Sequence, residues 1–111
     1  MIEIQIREFL ERKLPVPVYM EFPEKPPTRF VVVQRTDGSR ENLIDLAKLV
    51  ADAYAESMYQ AAVLNEQVKE LLDRLTELPE VCSSVRVTDY PHIDTSNKRY
   101  RYQAVQNITH Y

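Results

Sequence analysis

Residues 43–78 constrain the fold of this 111-residue chain more than any other segment. The first half of the segment, LIDLAKLVADAYAES, is rich in leucine and alanine, which favour a helix. Its residues also alternate between small and large side chains, with the period of two that is typical of a strand. Whether this half is a helix or a strand decides how every other element is arranged.

Both interpretations of the first half have a physical basis. As a helix, the segment forms a stripe of small residues along one side. As a strand, it lines one face mainly with alanines, over which a helix can pack closely. The larger apolar residues then share the opposite face of the strand: Ile44, Leu46, Val50 and Tyr54.

The residues before the segment favour a strand. Three valines at positions 31–33 are the strongest strand signal in the chain, since β-branched side chains fit a pleated surface. Asp37 and Gly38 follow, and this pair favours the tight turn of a β-hairpin because both positions accept a positive φ. A hairpin requires a second strand after its turn, and residues 43–55 follow that turn.

The residues after the segment also favour a strand. Ser57 and Gln60 resemble a capping box, in which a serine satisfies the first free backbone donors of a helix. If a helix begins there, the preceding residues are not in the middle of one. Apolar residues then recur at helical spacing until Pro79. We therefore predict a strand over residues 43–55 and a helix over residues 58–78.

Four further segments show regular patterns. Residues 2–14 repeat apolar side chains at helical spacing and end at a proline. Residues 16–22 alternate as a short strand does. Residues 83–90 and 98–111 alternate in the same way, with a polar loop, YPHIDTSNK, between them.

These elements predict an α+β fold in a single domain, residues 1–111. Their order is α-β-β-β-α-β-β. We expect one antiparallel or mixed β-sheet of about four or five strands, with two helices packed on one face. A face that no helix covers exposes apolar area and marks an interface. The residues predicted for this interface are Ile44, Leu46, Val50, Tyr54, Tyr100 and Tyr102.

The composition excludes several classes of function. A single glycine, Gly38, cannot build the glycine-rich loops that hold phosphates. A formal net charge of -3 offers no broad field to attract nucleic acid, so we expect no direct nucleic-acid binding. The two histidines, His92 and His110, lie in no metal-binding spacing, and Cys82 is the only cysteine. We predict no enzyme activity, no catalytic residue, no metal and no cofactor.

The predicted passage from strand to helix resembles a segment of a known family. In AKLVADAYAESMYQAAVLNEQVKELL, a strand ends in an aromatic-Ala-polar-Ser pattern, here Tyr54, Ala55, Glu56 and Ser57, and a helix with an early alanine follows. This pattern resembles the tail terminator and tail completion proteins of long-tailed bacteriophages. The N-terminal helix and the two hairpins follow the same order. Tyr54 stands where the family usually has a tryptophan-like aromatic residue.

The resemblance implies a structural role in the neck or tail of a virion. Proteins of this family form a homo-oligomeric ring, commonly a hexamer, that caps the tail tube and meets the head connector. The implied partners are therefore other copies of the chain, the tail tube and the head-connector proteins, and not a membrane. The chain shows neither a signal peptide nor a membrane-spanning apolar run, so we expect synthesis in the host cytoplasm and incorporation into the virion.

Three other functions fit the same sequence. Head-completion or minor capsid proteins of the same neck region are similar in size. A small prophage-encoded regulatory module that binds a host partner requires no further motif. The third is binding of single-stranded nucleic acid through the tyrosines and arginines of KRYRYQ, which the acidic net charge disfavours.

Overall fold

Two helices and a five-stranded sheet form the part of the chain that the computed structural model describes, residues 2–41, 44–94 and 99–110. The predicted α+β class and the order α-β-β-β-α-β-β are confirmed. A short 3-10 turn, Leu75–Glu77, follows the second helix. The elements in chain order are α1 (Ile2–Lys13), β1 (Val18–Tyr19), β2 (Phe30–Glu41), β3 (Ile44–Ala55), α2 (Met58–Asp73), β4 (Val81–Asp94) and β5 (Arg99–His110).

The sheet is mixed, with its strands in the order β1-β2-β3-β5-β4. β1 runs parallel to β2, beside Val31 and Val32. It contains two residues only, so the predicted strand over residues 16–22 is too long. Every other neighbouring pair of strands is antiparallel. Consequently β2 and β5 run in one direction, and β3 and β4 run in the other.

The alanines of β3 determine where the second helix lies. Ala51 and Ala53 are fully buried and belong to the same core as Leu64 and Val68 of α2. Because these side chains end at a methyl group, the helix backbone can approach the sheet closely. The segment is therefore the predicted strand and not a helix; Leu43, its first predicted residue, lies outside the described residues.

The first helix packs on the same face of the sheet. Ile6 and Leu10 of α1 are fully buried and share the core with Val31 and Val33 of β2. The odd-numbered residues of β3, and those of β2 before its bulge at residue 36, thus point towards the helices, as pairing of Val31 with Ala53 requires. After the bulge, the even-numbered residues of β2 take this side. Both helices cover one face, as predicted.

The hairpin of β2 and β3 turns later than predicted. Asp37 and Gly38 lie inside β2, paired with Lys48 and Ala47 of β3, and the strand continues to Glu41. The predicted turn at this pair is wrong. Asp37 and Gly38 favour a tight turn locally, but in the strand they extend the ladder with β3. Each further pair of the ladder satisfies backbone N–H and C=O groups, and this outweighs the turn preference. The connection itself lies outside the described residues.

The helix α2 is shorter than predicted. It ends at Asp73 instead of residue 78, because the chain tightens there: the N–H of Arg74 donates to the carbonyl of Leu71 at 3.0 Å. The 3-10 turn that follows places Leu75 in the core, fully buried. Leu75 thus stays on the buried side of the chain, four residues after Leu71 and three after Leu72, although the α-helix has ended.

The strand β4 is longer than predicted. Its last residues, from Tyr90 to Asp94, pair with β5 up to Arg99, although the sequence predicts a polar loop there. These polar residues form a strand because β5 is long enough to pair with them in an antiparallel ladder. The remainder of the predicted loop, residues 95–98, lies outside the described residues.

The start of α2 is capped, and this cap is testable. The Ser57 hydroxyl accepts a hydrogen bond from the backbone N–H of Gln60 at 3.2 Å, which confirms the predicted N-cap. We expect Ser57→Ala to lower the free energy of unfolding by about 1 kcal/mol, because a backbone donor loses its acceptor. Urea denaturation followed by circular dichroism measures the loss. Ser57→Asp restores an acceptor and should unfold like the wild type; equal stability of the alanine variant would contradict the cap.

The close approach of α2 to β3 gives a second prediction. We expect Ala51→Leu to cost about 1–3 kcal/mol of unfolding free energy, because a larger side chain overpacks the contact with α2. The matched control is Lys48→Leu on the opposite face of the same strand, where the side chain is exposed and about 0.5 kcal/mol or less is expected. The two midpoints of urea denaturation are compared. Equal losses in the two variants would mean that the alanine face is not the packed one.

Candidate interaction surface

The face of the sheet opposite the helices is the candidate functional surface, and we call it the open face. Among the described residues, no helix lies on it. The even-numbered residues of β3 point to this side, and the odd-numbered residues of β5 lie beside them: Lys48 pairs with Asn107 and Val50 with Val105. The open face has three regions of different chemistry.

The first region is an aromatic cluster that the chain covers by itself. Phe30 of β2 and Tyr54 of β3 stack with ring centroids 4.6 Å apart and planes 6° from parallel. Phe22 packs its ring edge-on against both, at 5.5 Å. Tyr19 adds a fourth ring, 6.0 Å from Phe30. The segment between β1 and β2 therefore closes this end of the open face, and Tyr54 is 8% exposed.

An ion pair closes the covering segment at its C-terminal end. Arg29 donates to both carboxylate oxygens of Glu56: Nε lies 3.1 Å from Oε1 and 3.0 Å from Oε2, and Nη2 lies 2.5 Å from Oε1. Both side chains are exposed. The hydrogen bond from Arg29 lowers the pKa of the Glu56 carboxyl below its ordinary value. The pair joins the start of β2 to the connection between β3 and α2.

The second region is polar and lies at the centre of the open face. Asp52 of β3 is 7% exposed, and its Oδ1 accepts a hydrogen bond from Nε2 of Gln103 at 3.0 Å. Nη1 of Arg101 lies 3.9 Å from Oδ2 of the same carboxylate. A buried carboxylate requires such compensation. The nearby cation and amide supply this compensation from within the chain.

The third region is a concavity at the far end of the open face. Its volume is about 420 Å³, and residues from four strands line it, among them Ser39, Leu46, Lys48, Ser83 and Val85. A common cavity for β2, β3, β5 and β4 means that the sheet is concave on this side. Its rim carries exposed apolar area, because Val85 is 58% exposed and Val87, further along β4, is 47% exposed.

The six predicted interface residues do not form one surface. Ile44, Leu46, Val50 and Tyr54 share the open face of β3, as predicted. The prediction that the tyrosines of the last strand extend this face is wrong. Tyr100 pairs with Ala55 and Tyr102 with Ala53, which places both tyrosines on the helix-covered side of the sheet.

The four residues on the open face differ in accessibility. Ile44 and Leu46 are half-buried, whereas Val50 and Tyr54 are buried. Arg101 lies on the open face and Tyr102 on the other, so the alternating tyrosines and arginines of β5 are split between two sides. The interface role of these residues remains a prediction.

The exposed valines of β4 were not among the predicted interface residues. Val85 and Val87 belong to an ordinary alternating strand by sequence, and nothing in their pattern indicates a border position. They are exposed because β4 is the last strand of the sheet. The periodicity of the sequence does not predict the order of the strands in the sheet. The exposure of Val85 and Val87 is therefore known only from the structure.

The two borders of the sheet are open. β1 pairs with β2 only at Val31 and Val32. Within the described ranges, no strand pairs with the outer side of β2 over residues 33–41, or with the outer side of β4 over residues 81–94. Both borders therefore present backbone donors and acceptors to a partner strand or to water.

Metal-ligating side chains and membrane-spanning helices were also considered for the described part of the chain. No three of its histidine, cysteine, aspartate and glutamate side chains group as a metal site. His110 is buried at the end of β5 beside Asp45, and the side chain of His92 lies outside the description. No described helix has the length and apolar character needed to cross a membrane.

Comparison with known proteins adds no relative: the chain matches no family model and no curated protein sequence. The interpretation of the open face therefore depends on its geometry and on the residues of the chain itself.

The ion pair beside the aromatic cluster gives a testable pH dependence. Because the folded-state pKa of Glu56 is lowered, the pair stabilises the fold above the ordinary carboxyl pKa, and this contribution is lost as pH falls through the lowered pKa. Carbon-13 NMR titration of the Glu56 carboxyl should give a midpoint below the ordinary value. Arg29→Met should raise that midpoint, while the titration of Glu77, which is paired with Arg74, stays unchanged. An unshifted Glu56 midpoint in the variant would contradict the pairing.

Proposed function

We propose that this protein is a structural component of a long-tailed bacteriophage or prophage virion, specifically a tail terminator. In this role, copies of the chain form a ring that caps the tail tube and joins it to the head. The ring has the six subunits that are common in the resembling family. The chain is made in the host cytoplasm and acts after incorporation into the neck of the virion.

One observation carries the proposal: each subunit has two different open borders on opposite sides of one concave sheet. A ring needs two unlike surfaces on each subunit, because the contact is head-to-tail and the same pair repeats around an axis. The border of β2 and the border of β4 supply such unlike surfaces. No bound cofactor or catalytic group is required for this role.

The resemblance gives independent support from the sequence. The pattern from Tyr54 to Ser57 and the early alanines of the helix after it resemble tail terminator and tail completion proteins. The resembling residues occupy the junction of β3 and α2, where Tyr54 is stacked on Phe30 and Ser57 caps the helix. A junction held this firmly would fix the angle between sheet and helix in every subunit of a ring.

The assembly state is the first test. Multi-angle light scattering after size exclusion, over a range of concentrations, should give a discrete mass that is a multiple of the 13.0 kDa subunit. Negative-stain electron microscopy of that species should show rings with a central hole. A monomer at every concentration, alone and in the presence of the tail-tube protein of the same phage, would contradict the proposal.

The place in the virion is the second test. Deletion of the gene from the phage or prophage that encodes it should leave heads and tails that do not join, visible by electron microscopy, with joining restored by the wild-type chain supplied in trans. Heads that lose their DNA beside normal tails would instead indicate a head-completion protein. Intact virions would indicate a regulatory module and would overturn the structural role.

A further inference from the structure

The borders of the sheet identify the contact between subunits. We propose that β4 of one copy, over residues 81–87, pairs antiparallel with β2 of the next copy, over residues 33–41, so that one sheet continues from subunit to subunit. This inference specifies the contact within the proposed ring and therefore rests on the proposed function. The partner it assigns to both borders is a second copy of this chain.

Strand direction favours the pairing. β2 and β4 run in opposite directions within one subunit. When two copies lie side by side in the same orientation, β4 of the first is therefore antiparallel to β2 of the second. Antiparallel pairing is the arrangement of every neighbouring pair in this sheet except β1 with β2, and it is slightly more stable per residue than parallel pairing.

The two open stretches lie at the same level of the sheet. Ser39 of β2 pairs with Leu46, Leu46 pairs with Thr109, and Thr109 pairs with Ser83 of β4. This row crosses the sheet from one border to the other, and the next row joins Gly38 to Ser84 in the same way. Rotation of a copy about an axis along the strands thus brings one open stretch beside the other without a shift along the strands. A head-to-tail contact closes into a ring when its rotation closes and it adds no net shift along the axis.

The side chains of β4 indicate which part of the strand pairs. Exposed border strands usually carry lysine, proline or bulges that oppose pairing. The register of β4 shifts at two places, between Val81 and Ser83 and between Arg86 and Thr88, and Pro91 lies in the second half of the strand. Residues 83–86, between the two shifts, pair regularly with β5 and include Val85, which is 58% exposed. We therefore centre the contact, within residues 81–87, on this regular stretch.

Charge does not oppose the contact. Arg35 of β2 and Arg86 of β4 lie in the same row, so the pairing brings two guanidinium groups to one level. Each is already neutralised within its own subunit. Nε of Arg35 lies 3.3 Å from a carboxylate oxygen of Glu3, and Arg86 is paired with Asp73.

Paired cysteines test the contact directly. In a Cys82→Ser background, Ser39→Cys is combined with Ser83→Cys in one chain. Within a subunit these positions are separated by three strand spacings, about 14 Å along the sheet, whereas a disulfide needs Cα atoms within about 7 Å. We expect mild oxidation to link separate copies into a ladder of covalent oligomers up to the full ring. In further variants the second cysteine is placed at position 85 or 87 instead of 83. The pair that cross-links most efficiently shows the register between β2 and β4 of neighbouring copies.

Single-cysteine variants exclude the main competing arrangement. A two-fold contact of β4 with β4 would link Ser83→Cys to itself, whereas the proposed contact predicts no link in either Ser39→Cys or Ser83→Cys alone. Efficient dimerisation of the Ser83→Cys variant alone would overturn the inference.

A charge on the border tests the contact without cross-linking. We expect Val85→Lys to raise the dissociation constant of the assembly about tenfold or more, because a lysine on an edge strand opposes strand addition. Its urea midpoint should stay near that of the wild type, since Val85 is exposed in the single subunit. The matched control is Tyr59→Lys, which is 73% exposed and belongs to α2 and not to a border strand, and which should assemble normally.

The outcomes separate this inference from the proposed function. Rings that form but link at none of the cysteine pairs, and that tolerate Val85→Lys, would overturn the border contact and leave the ring role in place. A chain that stays monomeric in all conditions would overturn both. Rings that link through position 39 and one of positions 83, 85 or 87 would establish the contact.

Discussion

The packing of α2 on the alanines of β3 is the contact on which the rest of the structure depends. Ala51 and Ala53 are fully buried and share the core with Leu64 and Val68 of the helix. Because α1 packs on the same side, both helices lie on one face of the sheet. The opposite face is covered only in part, by Phe22 and the segment around it, and in our proposal neighbouring subunits contact the borders of the sheet.

The cover of the open face differs from one end of the sheet to the other. Phe22 and its neighbours close one end, and Gln103 and Arg101 compensate Asp52 at the centre. The far end remains concave, with exposed valines at the β4 border. A surface that is closed at one end and open at the other suits an assembly contact, since backbone groups at a border are satisfied only by water or by another strand.

Much of the fold is predictable from local signals. Ser57 marks the start of α2, and the period of two over residues 43–55 predicts β3 against the helical propensity of its alanines and leucines. Asp37 and Gly38 show where local signals fail: their turn preference loses to a ladder that β3 extends past them. Boundaries of this kind depend on which strand lies opposite, and no short segment of sequence contains that information.

By itself, the sequence determined which residues of β3 and of β5 share a face, because side chains alternate along a strand that has no bulge. Only the tertiary structure decided which faces meet. The register that pairs Tyr102 with Ala53 turns the tyrosines of β5 towards the helices, and a slip of one residue would have turned them to the open face. Strand order likewise made β4 a border and exposed Val85. Strand register and strand order both depend on pairing between segments that are distant in the sequence. The candidate surface could therefore be identified only in the folded chain.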